Sequence, residues 1–164
     1  ISTLEQVRQP FENEEETRAV HVKPLHEHKK FKGTVFHKFS DLIPSAVVAG
    51  ETEVLVQEVI EFVSEWRAYI FRGRIKFVAN YLGDPLVFPD PSRMQAALDA
   101  FENRPVGYSM DWGITSTGDT LLVEVNDGYA LGNYGLDGYV YTAIIEARWR
   151  EIMGLKDNGI GINL

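Results

Sequence analysis

The residues best suited to chemistry are Asp111, Glu124 and Asn126. Glu124 and Asn126 lie two apart in Leu122-Val-Glu-Val-Asn126, so on a strand they point to one face. Asp111 falls on the preceding strand of a predicted hairpin and can reach that face. Two carboxylates and an amide oxygen are hard ligands, the set that suits Mg²⁺ with waters and phosphate oxygens completing its shell. Such a face costs stability unless a cation binds there. Leu122, Val123 and Val125 read as the flanks of a well-packed strand; the competing reading is an exposed polar face on an edge hairpin.

A second group is cationic. Lys23 sits inside the β-rich run Ala19-Val-His-Val-Lys-Pro-Leu25, where a lysine is costly to bury unless it lies at an edge or meets an anion. Within ten residues follow Lys29, Lys30, Lys32 and Gly33, the densest basic cluster in an acidic chain. Together they can hold a polyphosphate, with Gly33 allowing close backbone approach. A solvated loop is the alternative.

A third group is Val56-Gln57-Glu58-Val59-Ile60, then Glu65-Trp66-Arg67. Chain leaving a strand at Gln57 and Glu58 exposes backbone groups that can read an adenine edge. Glu65 and Arg67 share a strand face. A carboxylate accepts ribose hydroxyls and a guanidinium suits phosphate. A cross-strand ion pair explains the same two residues equally well.

The elements that must position these residues follow from pattern. Residues 1–18 show little periodicity and read as a leader or the tail of an upstream domain. Strands are expected at Ala19–Leu25, in a hairpin partner from Gly33 to Phe36, and at Glu53–Val59; Ser40 caps a short helix reaching Ala49. Trp66–Phe71 and Arg74–Tyr81 flank Arg72-Gly73, a tight hairpin signal. Ser92–Asn103 is helical, with Met94, Ala97, Leu98 and Phe101 on one face. Gly107–Thr115 and Thr120–Asn126 form a second hairpin. A glycine-punctuated loop from Asp127 to Gly138 leads to a last helix, Tyr139–Met153, with Ile145, Trp149 and Ile152 spaced for burial. The reading is α+β: residues 19–60 as a first lobe and 61–164 as a second, with antiparallel sheets and a ligand cleft between them.

Composition limits the alternatives. The 164 residues are 45% hydrophobic, enough for a packed core. Net charge is −8, which disfavours nucleic acid as a partner. No apolar run approaches the roughly 18 residues that span a bilayer. With no cysteine, disulfides, thiolate catalysis and cysteine zinc sites drop out, which suits a reducing compartment, and a cytoplasmic location is expected. The four histidines form no zinc-hydrolase pair.

Val22-Lys23-Pro24, the Gln57-Glu58 segment, Asp111 and Glu124-Val-Asn126, in this order and spacing, resemble the ATP-grasp superfamily, and within it an uncharacterised bacterial and phage clade of ATP-grasp domain proteins. The resemblance covers about residues 18–153. It implies an ATP- and Mg²⁺-dependent ligase that joins a carboxylate to an amine or similar nucleophile through an acylphosphate. It further implies that Lys23 touches the α- and β-phosphates and that His26–Gly33 is the phosphate-covering loop. Glu58 and Ile60 then line adenine, Glu65 meets the ribose, and Asp111, Glu124 and Asn126 are the magnesium ligands. The pattern departs at Ser109, where many members carry an arginine that steadies the intermediate; Arg67 or Arg18 could supply that charge. The family's upstream substrate-binding domain has no counterpart in these residues, so a non-catalytic nucleotide-binding module is the alternative. The loop from Asp127 to Gly138, with Tyr129, Asn133 and Tyr134, is expected to meet the acceptor. The sequence leaves both substrates and the oligomeric state unassigned; a homodimer is among the assemblies it allows.

Overall fold

The computed structural model describes residues 1–15, 17–26 and 30–163. They form two compact units, Ile1–Ile60 and Glu61–Leu164.

The first unit is built on a four-stranded antiparallel sheet in the order β1-β4-β2-β3, comprising Ser2–Thr3 (β1), Val20–Pro24 (β2), Thr34–Phe36 (β3) and Glu53–Glu58 (β4). Residues 1–12, which lack clear periodicity in sequence, are not irregular. Ser2 and Thr3 pair with Val54 and Glu53, and helix α1 runs Leu4–Glu12. Thr3 and Gln6 form a reciprocal capping box at its start, which satisfies amides that an uncapped end would leave open. Leu4 and Phe11 are buried with Val22, Phe36, Leu42 and Val54. The expected helix from Ser40 to Ala49 is instead a 3-10 helix, Phe39–Ser45, containing Pro44. Proline lacks the N–H that a regular helix needs at that point.

Strand pairing divides the faces of this sheet. Val20, Val22 and Pro24 pair with Glu58, Val56 and Val54, while His21 and Lys23 pair with Gln57 and Leu55. Alternation therefore puts Val22 and Val54 toward the core and Lys23 with Gln57 on the other face.

The second unit carries another four-stranded antiparallel sheet, ordered β6-β5-β7-β8, from Phe62–Phe71 (β5), Arg74–Gly83 (β6), Gly107–Thr115 (β7) and Thr120–Asp127 (β8). Arg72 and Gly73 turn the first hairpin with φ of 48° and 72°, the paired positive angles of a two-residue turn whose twist matches its strands. Helix α2, Pro91–Ala100, starts at Asp90, whose side chain accepts from the Ser92 amide. Met94 and Leu98 bury against Trp66, Ala68, Ile70, Tyr108, Met110 and Trp112 on one side of the sheet.

Helix α3, Gly138–Ile152, contributes to a separate cluster with Tyr69, Phe71 and Ala79. It buries Ala143, Ile144 and Ala147, not the expected stripe: Trp149 and Ile152 are about half exposed. The small side chains let the helix approach closely, and the bulky ones are left outside. A second departure concerns β8, an edge strand on which Leu122, Val123 and Val125 are partly exposed rather than well packed. Among the described residues, no helix is long and apolar enough to cross a membrane.

Candidate functional site

Strand register in the second unit brings one polar row together. Arg67 on β5 pairs with Asp111 on β7, and Asp111 pairs with Glu124 on β8. The next row is Tyr69, Ser109 and Asn126. Residues directly opposite in an antiparallel pair share a face, so all six project the same way. Just past Glu124 the register slips, with Trp112 opposite Leu122, so Val123 is an extra residue. Bulges of this kind frequently adjoin active sites because they re-aim a strand.

Asp111 is buried and carries two partners. Arg67 donates from Nε to Oδ1 at 2.7 Å and from Nη2 to Oδ2 at 2.6 Å, a parallel fork that matches guanidinium to carboxylate. Asn126 donates its amide N–H to Asp111 Oδ2 at 3.2 Å and to Glu124 Oε1 at 3.0 Å. Burial raises the Asp111 carboxyl above its ordinary range; the Arg67 fork opposes that shift and the nearby Glu124 charge adds to it. The same fork raises the Arg67 guanidinium further into permanently charged territory. Both directions follow from one arrangement: water is excluded from both groups, and the short bidentate contact is that of an ion pair.

The donor set fits a divalent cation. Two carboxylates face each other across one strand pair, and the groups between and around them are hydrogen-bond donors, which lend positive charge where a cation would supply it. Half a turn of the Asn126 amide presents its oxygen instead of its nitrogen. The hydroxyl of Ser109 in the adjoining row is fully buried and has no hydrogen-bond partner among the described residues.

Around this row lies an aromatic wall that sequence reading missed in part. The Tyr134 ring stacks on Tyr81, with centroids 5.3 Å apart, and the Arg67 guanidinium lies 5.1 Å from the Tyr134 centroid. Tyr81 donates its hydroxyl to Glu65 at 2.8 Å. Burial and that contact raise the Tyr81 hydroxyl, so it stays a donor. Tyr69 donates to the Gly132 carbonyl at 2.6 Å and accepts from the Tyr134 amide at 3.1 Å, tying the loop to the sheet. Tyr81 is the extra residue where Glu65 faces Leu82 and Trp66 faces Asn80. A bulge shifts the alternation, so only a tyrosine late in an alternating run hinted at it.

The other candidates fall as follows. Lys23 is half-buried on the sheet face it shares with Gln57 in the first unit. Glu58 belongs to the opposite face at the exposed end of β4, and Ile60 follows it, 38% exposed. Lys30 and Lys32 are exposed, and Lys29 lies outside the described residues together with Glu27 and His28. A side chain at Gly33 would meet the His21 ring at 2.9 Å, so the close approach there is to His21. Arg18 is exposed in the first unit. The structure therefore unites Glu65, Arg67, Asp111, Glu124 and Asn126 in one unit, and Lys23 with Gln57 in the other.

Solved structures share this architecture. N5-Carboxyaminoimidazole synthetase from Staphylococcus aureus complexed with ADP superposes with a TM-score of 0.56 at 12% identity, over 96% of this chain and 46% of that one. The ATP-grasp ligase PsnB complexed with a phosphomimetic variant of its minimal precursor, Mg and ADP gives 0.55 at 15% identity, over 88% and 50%. D-Cycloserine synthetase DcsG gives 0.51 at 15% identity, over 94% and 62%. The chain thus spans about half the length of these proteins, and at such identities the likeness speaks for the fold. No curated protein sequence matches. The family model described as an ATP-grasp domain, family 2 of its clade, matches residues 1–144, and the chain belongs to that ATP-grasp family.

Proposed function

We propose that this chain is the nucleotide-binding core of an ATP- and Mg²⁺-dependent ligase that activates a carboxylate as an acylphosphate. The observation that carries the reading is the row Arg67–Asp111–Glu124 with Asn126 beside it: a buried carboxylate and an exposed one, held one strand apart next to an amide. Asp111, Glu124 and Asn126 would hold the metal, which when bound offsets charge on the phosphates. Lys23 and the lysines at 29, 30 and 32 are assigned to the phosphates. Gln57, Glu58 and Ile60 are assigned to adenine, and Glu65 to the ribose.

In this scheme a substrate carboxylate oxygen attacks the γ-phosphorus of ATP and ADP leaves. The nucleophile, an amine or its equivalent, then attacks the acyl carbon. Phosphate leaves with the bonding pair, and the amine gives up its proton. The chain's residues position and neutralise rather than form covalent bonds. Arg67 lies one row from Ser109, which stands in place of the family's arginine, and is assigned to supply that charge. The loop Asp127–Gly138 is assigned to the acceptor.

A binding-only module is the second reading, favoured by Ser109, which brings no charge to its row. Calorimetric titration of ATP with and without magnesium, on the wild type and Glu124→Gln, tests the metal site. The proposal expects magnesium to strengthen ATP binding and Glu124→Gln to weaken it about tenfold or more. Equal affinities in all four titrations would end the case. ADP release in a screen of amino acids and small peptides separates the ligase from the binding module.

A further inference from the structure

Asp111 presents two oxygens, and Arg67 holds both, at 2.7 and 2.6 Å. A divalent ion coordinated to either oxygen would lie within a few ångströms of the guanidinium, in a site where burial leaves little water to screen the repulsion. Arg67 also has other company on its strand face. The Tyr134 ring lies 5.1 Å away, and that residue, 45% exposed, stacks on Tyr81. Two residues back on the same face, Glu65 offers a carboxylate whose one described contact is the Tyr81 hydroxyl. A guanidinium leaving Asp111 therefore has an aromatic face and a second carboxylate within its own surroundings.

We propose that Arg67 is an exchangeable internal counter-cation: it neutralises Asp111 in the metal-free site, competes with the incoming divalent ion for that carboxylate, and on displacement becomes a free positive charge on the reacting face. This rests on the metal reading under the proposed function and adds to it an antagonism between a side chain and the metal. The bidentate fork sets the strength of the competition, because it fills both oxygens at once. The device keeps a buried carboxylate paired when no metal is bound, which an isolated charge there could not tolerate. It also delivers an arginine to the face where Ser109 supplies none, only once the metal has arrived.

The test is Mn²⁺ binding to the full chain without nucleotide, followed by calorimetry and by the electron paramagnetic resonance signal of the free ion. Arg67→Gln removes the competitor, so Mn²⁺ should bind about tenfold tighter than to the wild type. A metal site that merely needed Arg67 for shape would bind more weakly. Arg67→Lys keeps the charge but cannot fill both oxygens, so its affinity should rise by a smaller factor; it carries the test if Arg67→Gln does not fold. Glu124→Gln in the same assay should bind more weakly. If Glu124→Gln is weakened while both Arg67 variants bind as the wild type does or worse, the exchange is wrong and the metal site stands. If Glu124→Gln matches the wild type, the metal reading itself fails and the exchange falls with it.

Discussion

Arg148 of α3 grips both carboxylate oxygens of Asp127, each at 2.7 Å, and Asp127 follows Asn126 directly in the chain. Glu151 accepts from the same guanidinium at 2.7 Å and also takes the Val106 amide at 3.0 Å. The end of the edge strand β8 is thus pinned to α3 just beyond the polar row. Replacing Arg148 with Met keeps much of its stem and removes the fork. The expected loss is about 1–2 kcal/mol of stability, below that of a fully buried pair because Asp127 is about one-third exposed. Denaturant unfolding measures it, and faster amide exchange confined to the end of β8 would show where it acts.

The same contact sets a pH dependence. Arg148 holds the Asp127 carboxyl below its ordinary value, against an opposing push from burial. The pair's contribution is therefore present in full above the ordinary aspartate value of 3.8 and is lost as pH falls through the lower folded value. Asp127→Asn should be less stable than the wild type near neutrality, with the gap closing below about pH 4. A gap independent of pH would mean that packing rather than charge is responsible.

The two carboxylates of the central row should respond differently to neutralisation. Asp111 is buried against Arg67, so Asp111→Asn leaves a guanidinium poorly paired and should cost about 2–4 kcal/mol. Glu124 is exposed, and Glu124→Gln should change stability by less than about 0.5 kcal/mol. Thermal unfolding of the two variants decides it; equal losses would contradict the division.

Ser109 provides the opposite case. Its hydroxyl is buried without a partner among the described residues, and an unsatisfied buried polar group costs free energy. Ser109→Ala should therefore leave stability unchanged or raise it by up to about 1 kcal/mol. A loss larger than that would reveal a hydrogen bond at this position.

The hairpins of the second unit and the shared face of Glu124 and Asn126 were legible in the amino-acid sequence alone. Strand alternation, an Arg-Gly turn and a two-residue spacing are local signals that need no knowledge of distant chain. The helical stripe of Met94 and Leu98 was legible for the same reason, since 3.6-residue periodicity is written in the segment itself. Family membership was likewise carried by ordered short motifs. Tertiary structure decided what depends on register and on choice between faces. Which of two apolar stripes α3 buries is settled by how closely Ala143 and Ala147 let it approach the sheet, a property of the partner surface and not of the helix. Whether Tyr81 meets Glu65 depends on a bulge that shifts alternation by one residue. Whether Arg67 faces a phosphate or a carboxylate could not be read from β5 alone, because its partner Asp111 lies 44 residues on and reaches it only through the β5–β7 register.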